Sequence, residues 1–151
     1  LADLLARMRR AVLPASRRHG RMVEIQLSVN SFVPKPWTPF QYLPYGGLDR
    51  EEAFRDRDGT SSLLALKEKI RYLRRMVKKL PNIHLRADRP ERILEQAVFS
   101  RGDRRLTPVL MDMGRGMGFR QALRSHGLSA WSFAIRPRDP DERFCWEVLD
   151  H

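Results

Sequence analysis

Met22-Val-Glu-Ile-Gln-Leu-Ser-Val-Asn-Ser-Phe-Val33 alternates residue by residue. Val23, Ile25, Leu27 and Val29 fall on one side of an extended chain, and Glu24, Gln26, Ser28 and Asn30 on the other. The pattern predicts a strand, with Gly20 punctuating the chain before it. Its polar face admits two readings: it lies on a surface sheet, or it lines an open β/α barrel whose helices cover the apolar face. Upstream, Leu1–Val12 is amphipathic, with Leu4, Leu5, Met8 and Val12 on one side and Pro14 as the expected stop. The order helix, strand, loop, helix favours the barrel. That reading puts Gln26, Ser28 and Asn30 in a lumen and Phe32 near its carboxyl rim, where ligands bind in such folds.

Downstream, Pro34, Pro36, Pro39 and Pro44 fix φ and restrain the residues before them. The resulting arm is stiff and displays Lys35, Trp37, Thr38, Phe40, Gln41 and Tyr42. Tyr45 to Thr60 reads as a mobile excursion, with Gly46, Gly47, Gly59 and dense mixed charge. From Leu63 to Leu80, apolar Leu63, Leu66, Ile70, Leu73, Val77 and Leu80 recur at helical spacing, and the helix should stop near Pro81. Ile83–Ala87 is a short strand candidate. Asp88 is placed to cap a helix whose first turn holds Pro90 and Glu91, with Ile93, Leu94, Ala97 and Val98 as its apolar side.

The chain has 151 residues, enough for one domain with a core, and its 42% hydrophobic content argues against disorder. No apolar run is long enough to span a membrane and no leader pattern is present, so a cytoplasmic location is the default expectation. A first residue of Leu1 rather than methionine suggests a piece of something longer. The net charge of +11 is concentrated in the Leu63–Leu80 helix: Lys67, Lys69, Arg71, Arg74, Arg75, Lys78 and Lys79 stand against Glu68 alone. A solvated outer face and a phosphate-binding surface for RNA or another polyanion both account for this.

One cysteine, Cys145, excludes an internal disulfide framework and cannot by itself hold a metal centre. His19, His84, His126 and His151 share no ligand spacing, so no metal site is assigned. Gly114-Arg-Gly-Met-Gly118 does not follow a strand and reads as a turn between helices. Trp131, Phe133, Phe144 and Trp146 read as core or interface anchors, and Cys145 among them as a buried small hydrophobe. Ser100-Arg-Gly-Asp-Arg-Arg-Leu106 packs four charges and a glycine behind the predicted helix. Arg101, Asp103, Arg104 and Arg105 form either an ion-pair network closing the helix end or an anion-binding group, since guanidinium forks grip carboxylates and phosphates alike.

Phe32-Val-Pro-Lys-Pro-Trp-Thr-Pro-Phe-Gln41, the Ser100–Leu106 element and Phe144-Cys-Trp-Glu-Val-Leu-Asp150 together resemble the carboxyl-terminal part of a group of radical S-adenosylmethionine (radical SAM) proteins. These are Fe-S oxidoreductases that often carry an N-terminal cobalamin-binding-like domain. The resemblance runs from about Glu24 to the end. It departs at Trp37, Tyr42, Cys145 and Arg92, where the group is expected to carry histidine, tryptophan, proline and a hydroxyl residue. What it implies is the last strand and substrate side of a partial barrel. Gln26, Ser28 and Asn30 would then face the cofactor, and Lys35, Thr38, Gln41, Arg101, Asp103, Arg104 and Arg105 the substrate. A [4Fe–4S] cluster and S-adenosylmethionine are implied for the parent protein, with cobalamin left open. The Cys-x3-Cys-x2-Cys ligand set is missing here, so the fragment alone is expected to be non-catalytic, with no catalytic residue assigned.

The expected fold is α/β: the terminal part of an incomplete TIM-like β/α barrel with a mostly helical C-terminal extension. Residues 1–80 would hold the last βα units and 81–151 the short strand and extension. Expected partners are the N-terminal remainder of the same chain, a second copy through an exposed strand edge, and on the alternative reading nucleic acid; no membrane is expected.

Overall fold

The computed structural model describes residues 1–57 and 59–147. Asp58, His151 and the last three residues of the closing stretch, Val148, Leu149 and Asp150, lie outside the described residues. The fold is α/β, rich in helix, with one two-stranded parallel sheet. In chain order the elements are α1 (Ala2–His19), β1 (Ile25–Val29), α2 (Arg50–Arg55), α3 (Thr60–Val77), β2 (Ile83–Ala87), α4 (Pro90–Arg101), α5 (Thr107–Gly114) and α6 (Phe119–Ser125). Short 3-10 turns lie at Pro39–Tyr42, Tyr45–Gly47 and Arg104–Leu106, and one π turn at Trp131–Ile135. Two compact units form, interleaved in sequence: Leu1–Asn30 with Lys67–Asp88, and Ser31–Leu66 with the chain from Arg89 onward.

In the first unit, α1 runs through Pro14 rather than stopping there. An exposed proline removes one helical N–H bond, and the preceding turns already carry the helix past it. The stop comes at Gly20, whose φ of 61° is left-handed and whose N–H closes on Arg17 O. The inward face is also rotated from the expected one. Leu5 and Ser16 are buried, while Leu4 and Met8 remain exposed. The Ser16 hydroxyl accepts from Val23 N–H at 3.1 Å, fixing the approach to β1.

Strand β1 is five residues long, shorter than the alternating stretch, and pairs in parallel with β2 in the register Ile25↔Ile83 to Val29↔Ala87. Ile25, Leu27, Ile83 and Leu85 pack with Leu5, Val77 and Leu80. Gln26, Ser28, His84 and Arg86 face outward and are exposed. With its NH2 turned toward the two acceptors, the Asn30 side chain donates to Val29 O and Asp88 Oδ2 at 3.2 Å. Asp88 is not the cap of α4. That place falls to Arg89, without a side-chain bond, because Pro90 takes the first helical position and holds residue 89 extended. Helix α3 matches its sequence pattern: Ile70 and Val77 are buried, and Lys67, Lys69, Arg71, Arg74, Arg75, Lys78 and Lys79 are all exposed.

In the second unit, the stretch expected to be mobile is built instead. The Asp49 carboxylate caps α2 by accepting Glu51 N–H at 2.8 Å, and Ala53 is fully buried. Asp56 then caps the next helix, accepting Ser61 N–H at 3.0 Å, Ser62 N–H at 2.7 Å and the Ser62 hydroxyl. Tyr45 is buried and donates its hydroxyl to Pro90 O at 2.8 Å. Burial pushes that phenol well above its ordinary pKa, so it stays a donor. Gly46 is required on two counts: φ is +74°, and a Cβ would sit 2.8 Å from Leu66 Cδ1. Leu63, Leu66, Leu94, Val98, Val109 and Ile135 are among the core residues around these caps. Gly114–Gly118 is the turn between α5 and α6, as its glycines predict.

Candidate functional site

The site grows from the end of α4. Ile93, Leu94, Ala97 and Val98 bury one face of that helix, which carries its last residue, Arg101, into the interior at 2% exposure. Gly102 follows in an ordinary backbone conformation but has no room for a side chain. A Cβ there would lie 2.0 Å from Leu106 Cδ1 and 3.0 Å from Val98 O. The close approach folds the chain back, and Asp103 caps the turn by accepting Arg105 N–H at 2.9 Å. Its two oxygens also take the Arg105 fork, Nε to Oδ1 at 2.9 Å and Nη2 to Oδ2 at 2.7 Å. The Arg105 hydrogen bonds hold the Asp103 carboxyl below its ordinary pKa, against the effect of burial. Arg105 also lies 5.2 Å from the centre of the Phe133 ring. Arg104 is exposed.

The Pro-locked arm and the closing stretch join the same region. Thr38 Oγ1 donates to Lys35 O at 2.8 Å. Gln41 Oε1 accepts Trp37 N–H at 3.1 Å and the Trp146 indole N–H at 3.0 Å. Trp37 is held at φ 60°, a left-handed conformation rare for a bulky residue. Phe144 stacks on Trp146 at 4.5 Å and meets Tyr42 at 5.4 Å. The result is an open cavity of about 860 Å³. Ser100, Gly102, Asp103, Arg104 and Arg105 form one side, and Pro36, Cys145 and Trp146 the other.

Cys145 is not the buried hydrophobe expected. Phe144 and Trp146 are buried on either side of it, and the turn at 145–147 leaves its thiol exposed at the cavity. The sulfur lies 3.6 Å from Gly102 O. Partial burial and the Asp103 charge push the thiol above its ordinary pKa, although Arg138 and Arg105 pull the other way.

Two arginines share one carboxylate in this unit. Glu142 receives hydrogen bonds from both Arg136 and Arg138, and Arg138 Nη2 also donates to Ser132 O at 2.7 Å and Phe133 O at 3.2 Å. Burial would raise the Glu142 pKa, but the two guanidiniums outweigh it and the net direction is down. Arg101 Nη1 donates to Leu43 O at 3.3 Å. Among the described residues, Arg101 Nε and Nη2 and Arg138 Nε have no acceptor. Burial, then the Arg138 and Arg136 charges, lower the Arg101 pKa to about 10.

Asp103, Arg104 and Arg105, read from sequence as site residues, thus share a cavity wall. Arg101 lies in the interior behind the helix end, and Lys35 is exposed on the arm. Thr38 and Gln41 spend their polar atoms pinning the arm. Gln26, Ser28 and Asn30 belong to the other unit. Arg136, Arg138 and Glu142 were not foreseen; the Arg138 to Glu142 spacing of four residues was the available signal. Among the described residues, no three His, Cys, Asp or Glu side chains gather as a metal site, and no helix is long and apolar enough to cross a membrane. No family model, no curated protein and no solved structure matches the chain.

Proposed function

We propose that this chain is the substrate-side portion of a radical SAM enzyme of the Fe-S oxidoreductase group. One observation carries the reading. The arm, the Ser100–Leu106 element and the closing stretch, far apart in sequence, each contribute to the wall of one cavity, and these are the stretches that resemble that group. The fold reading that goes with it is the terminal part of an incomplete β/α barrel with a helical extension. In support, a parallel pair of strands is a small part of the sheets in which parallel strands normally occur, and its outward face is polar. The exposed Leu1, Leu4 and Met8 on α1 would suit a neighbouring element of the same barrel.

The donor set of this chain does not fit the cluster. A single thiol cannot replace three, so no step is routed through iron or S-adenosylmethionine here. What the chain's own residues do is shape and orient. The Asp103–Arg105 fork fixes the wall, Gln41 locks the arm against Trp146, and Arg104 stands free to meet a substrate. Gln26 and Ser28 would face the cofactor side of the completed barrel.

The test is the coding sequence upstream of Leu1. A Cys-x3-Cys-x2-Cys motif on a preceding βα unit is expected, and its absence removes the enzyme reading. In the intact parent, Arg104→Gln should lower product formation while leaving formation of 5′-deoxyadenosine nearly unchanged.

A second reading is favoured by α3, whose seven cations all face solvent beside an exposed Tyr72. On it, the chain binds RNA or another polyanion without catalysis. Affinity for a polyanion should then fall steeply with salt, and reversing Arg71, Arg75 and Lys79 to glutamate should abolish it. Unchanged affinity in that variant rejects the second reading.

A further inference from the structure

Resting on the reading of this cavity as a substrate wall, we infer that it takes its ligand through an oxyanion, a phosphate or carboxylate group, met by Arg104 at the open rim.

The first support is charge. Arg104 and Arg105 stand in the cavity wall and Arg101 behind it, against one carboxylate, Asp103. That carboxylate is taken by the Arg105 fork. Two positive charges, Arg101 and Arg104, are left over. Arg104 is exposed on the cavity wall and makes no ion pair with the described residues.

The second support is burial. Arg101 is 2% exposed and Arg138 8%, and three of their N–H groups lack an acceptor among the described residues. A buried cation with unmet N–H groups, as Arg101 is, is expensive, and solvent hardly screens its field. A cleft lined by one sign of charge with low-dielectric walls concentrates ions of the other sign. A neutral substrate would give this excess nothing to do. An ammonium group would be repelled.

Cys145 makes the field measurable, because it is the only cysteine in the chain and its sulfur faces the cavity. The 151-residue chain is alkylated with iodoacetate and, separately, with neutral iodoacetamide. The ratio of the two rates is compared with that of N-acetylcysteine amide. One uncompensated charge at about 7 Å in water enriches a monoanion about threefold, so a ratio at least about threefold above the reference is expected. It should fall toward the reference in 1 M salt, where the screening length is about 3 Å. It should also fall in Arg104→Gln, whose fold is checked by circular dichroism.

Occupancy is read separately, as saturable protection of Cys145 from iodoacetamide. Protection by inorganic pyrophosphate assigns a phosphate ligand, and protection by citrate a carboxylate; either supports the inference. Protection by neither anion overturns it, whatever the rate ratio. The outcome is distinguishable from that of the enzyme reading. A missing upstream cysteine motif would remove radical chemistry and leave an anion site, whereas unprotected Cys145 would remove the anion site and leave the upstream motif untouched.

Discussion

Replacing Arg101 with methionine should make the protein more stable. The side chain is 2% exposed, and its guanidinium has one hydrogen bond, to Leu43 O at 3.3 Å. Burial and the neighbouring Arg138 and Arg136 charges lower its pKa to about 10. A base with a lowered folded pKa destabilises the fold whenever it is charged. The penalty is complete below pH 10 and fades as pH rises from there toward the ordinary guanidinium value. At about 1.4 kcal/mol per pH unit the penalty is about 3 kcal/mol. Methionine keeps most of the stem and removes the charge, but it forfeits the Leu43 bond, about 1 kcal/mol. It also leaves a slightly smaller side chain, which takes away some further packing. The expected net gain is about 1–2 kcal/mol. For a chain of this length that is a rise in Tm of about 2–8 °C, read at pH 7 by circular dichroism. Urea midpoints should move the same way with an unchanged slope. A loss of 1 kcal/mol or more in Arg101→Met would refute the reasoning, because it would mean that the cation is compensated in the folded state.

Gly102→Ala should destabilise by about 1–3 kcal/mol through overpacking against Leu106 and Val98 O, measured by the same melts. A companion Leu106→Val change should recover part of the loss. Asp103→Asn should flatten the acid limb of stability. A carboxyl with a depressed folded pKa stabilises above its ordinary value of 3.8 and loses that contribution as pH falls through the lower folded value, so the difference from wild type should close as the carboxyl becomes protonated in the folded state. Gln41→Leu removes the acceptor shared by Trp37 N–H and the Trp146 indole, and should cost about 1–3 kcal/mol while shifting tryptophan emission.

The two strands and the long basic helix were legible because each repeats one period for long enough to count. β2 was placed at its observed residues, and α3 buries Leu63, Leu66, Ile70 and Val77 as its wheel requires. What escaped was decided by partners rather than by period. Leu4 and Met8 belong to the apolar residues of α1 but stay outside, because the sheet meets the Leu5 face instead. The charges of Tyr45 to Thr60 looked like a solvated loop, yet Asp49 and Asp56 are helix caps whose donors only appear once the helices form. Ser100–Leu106 was recognisable as a site by its density of charge. The division of labour within it was not. Nothing local distinguishes Arg101, drawn inside at the end of a buried helix face, from Arg104, left at the surface three residues on.

The interleaving of the two units restricts how this protein is made and how it is cut. Strand β1 leaves the ribosome 58 positions before Ile83, the partner of Ile25, so the first unit cannot close until most of β2 has emerged. In the meantime residues 31–66 have been synthesised without the helices that will cover Tyr45, Ala53, Leu63 and Leu66. The second unit is complete only once the chain beyond Arg89 has emerged. No single cleavage releases either unit alone: a fragment ending at Asp88 keeps all of the first but carries the Ser31–Leu66 part of the second with its apolar side chains bare. Dissecting the chain therefore calls for replacing residues 31–66 with a short linker, not for truncation.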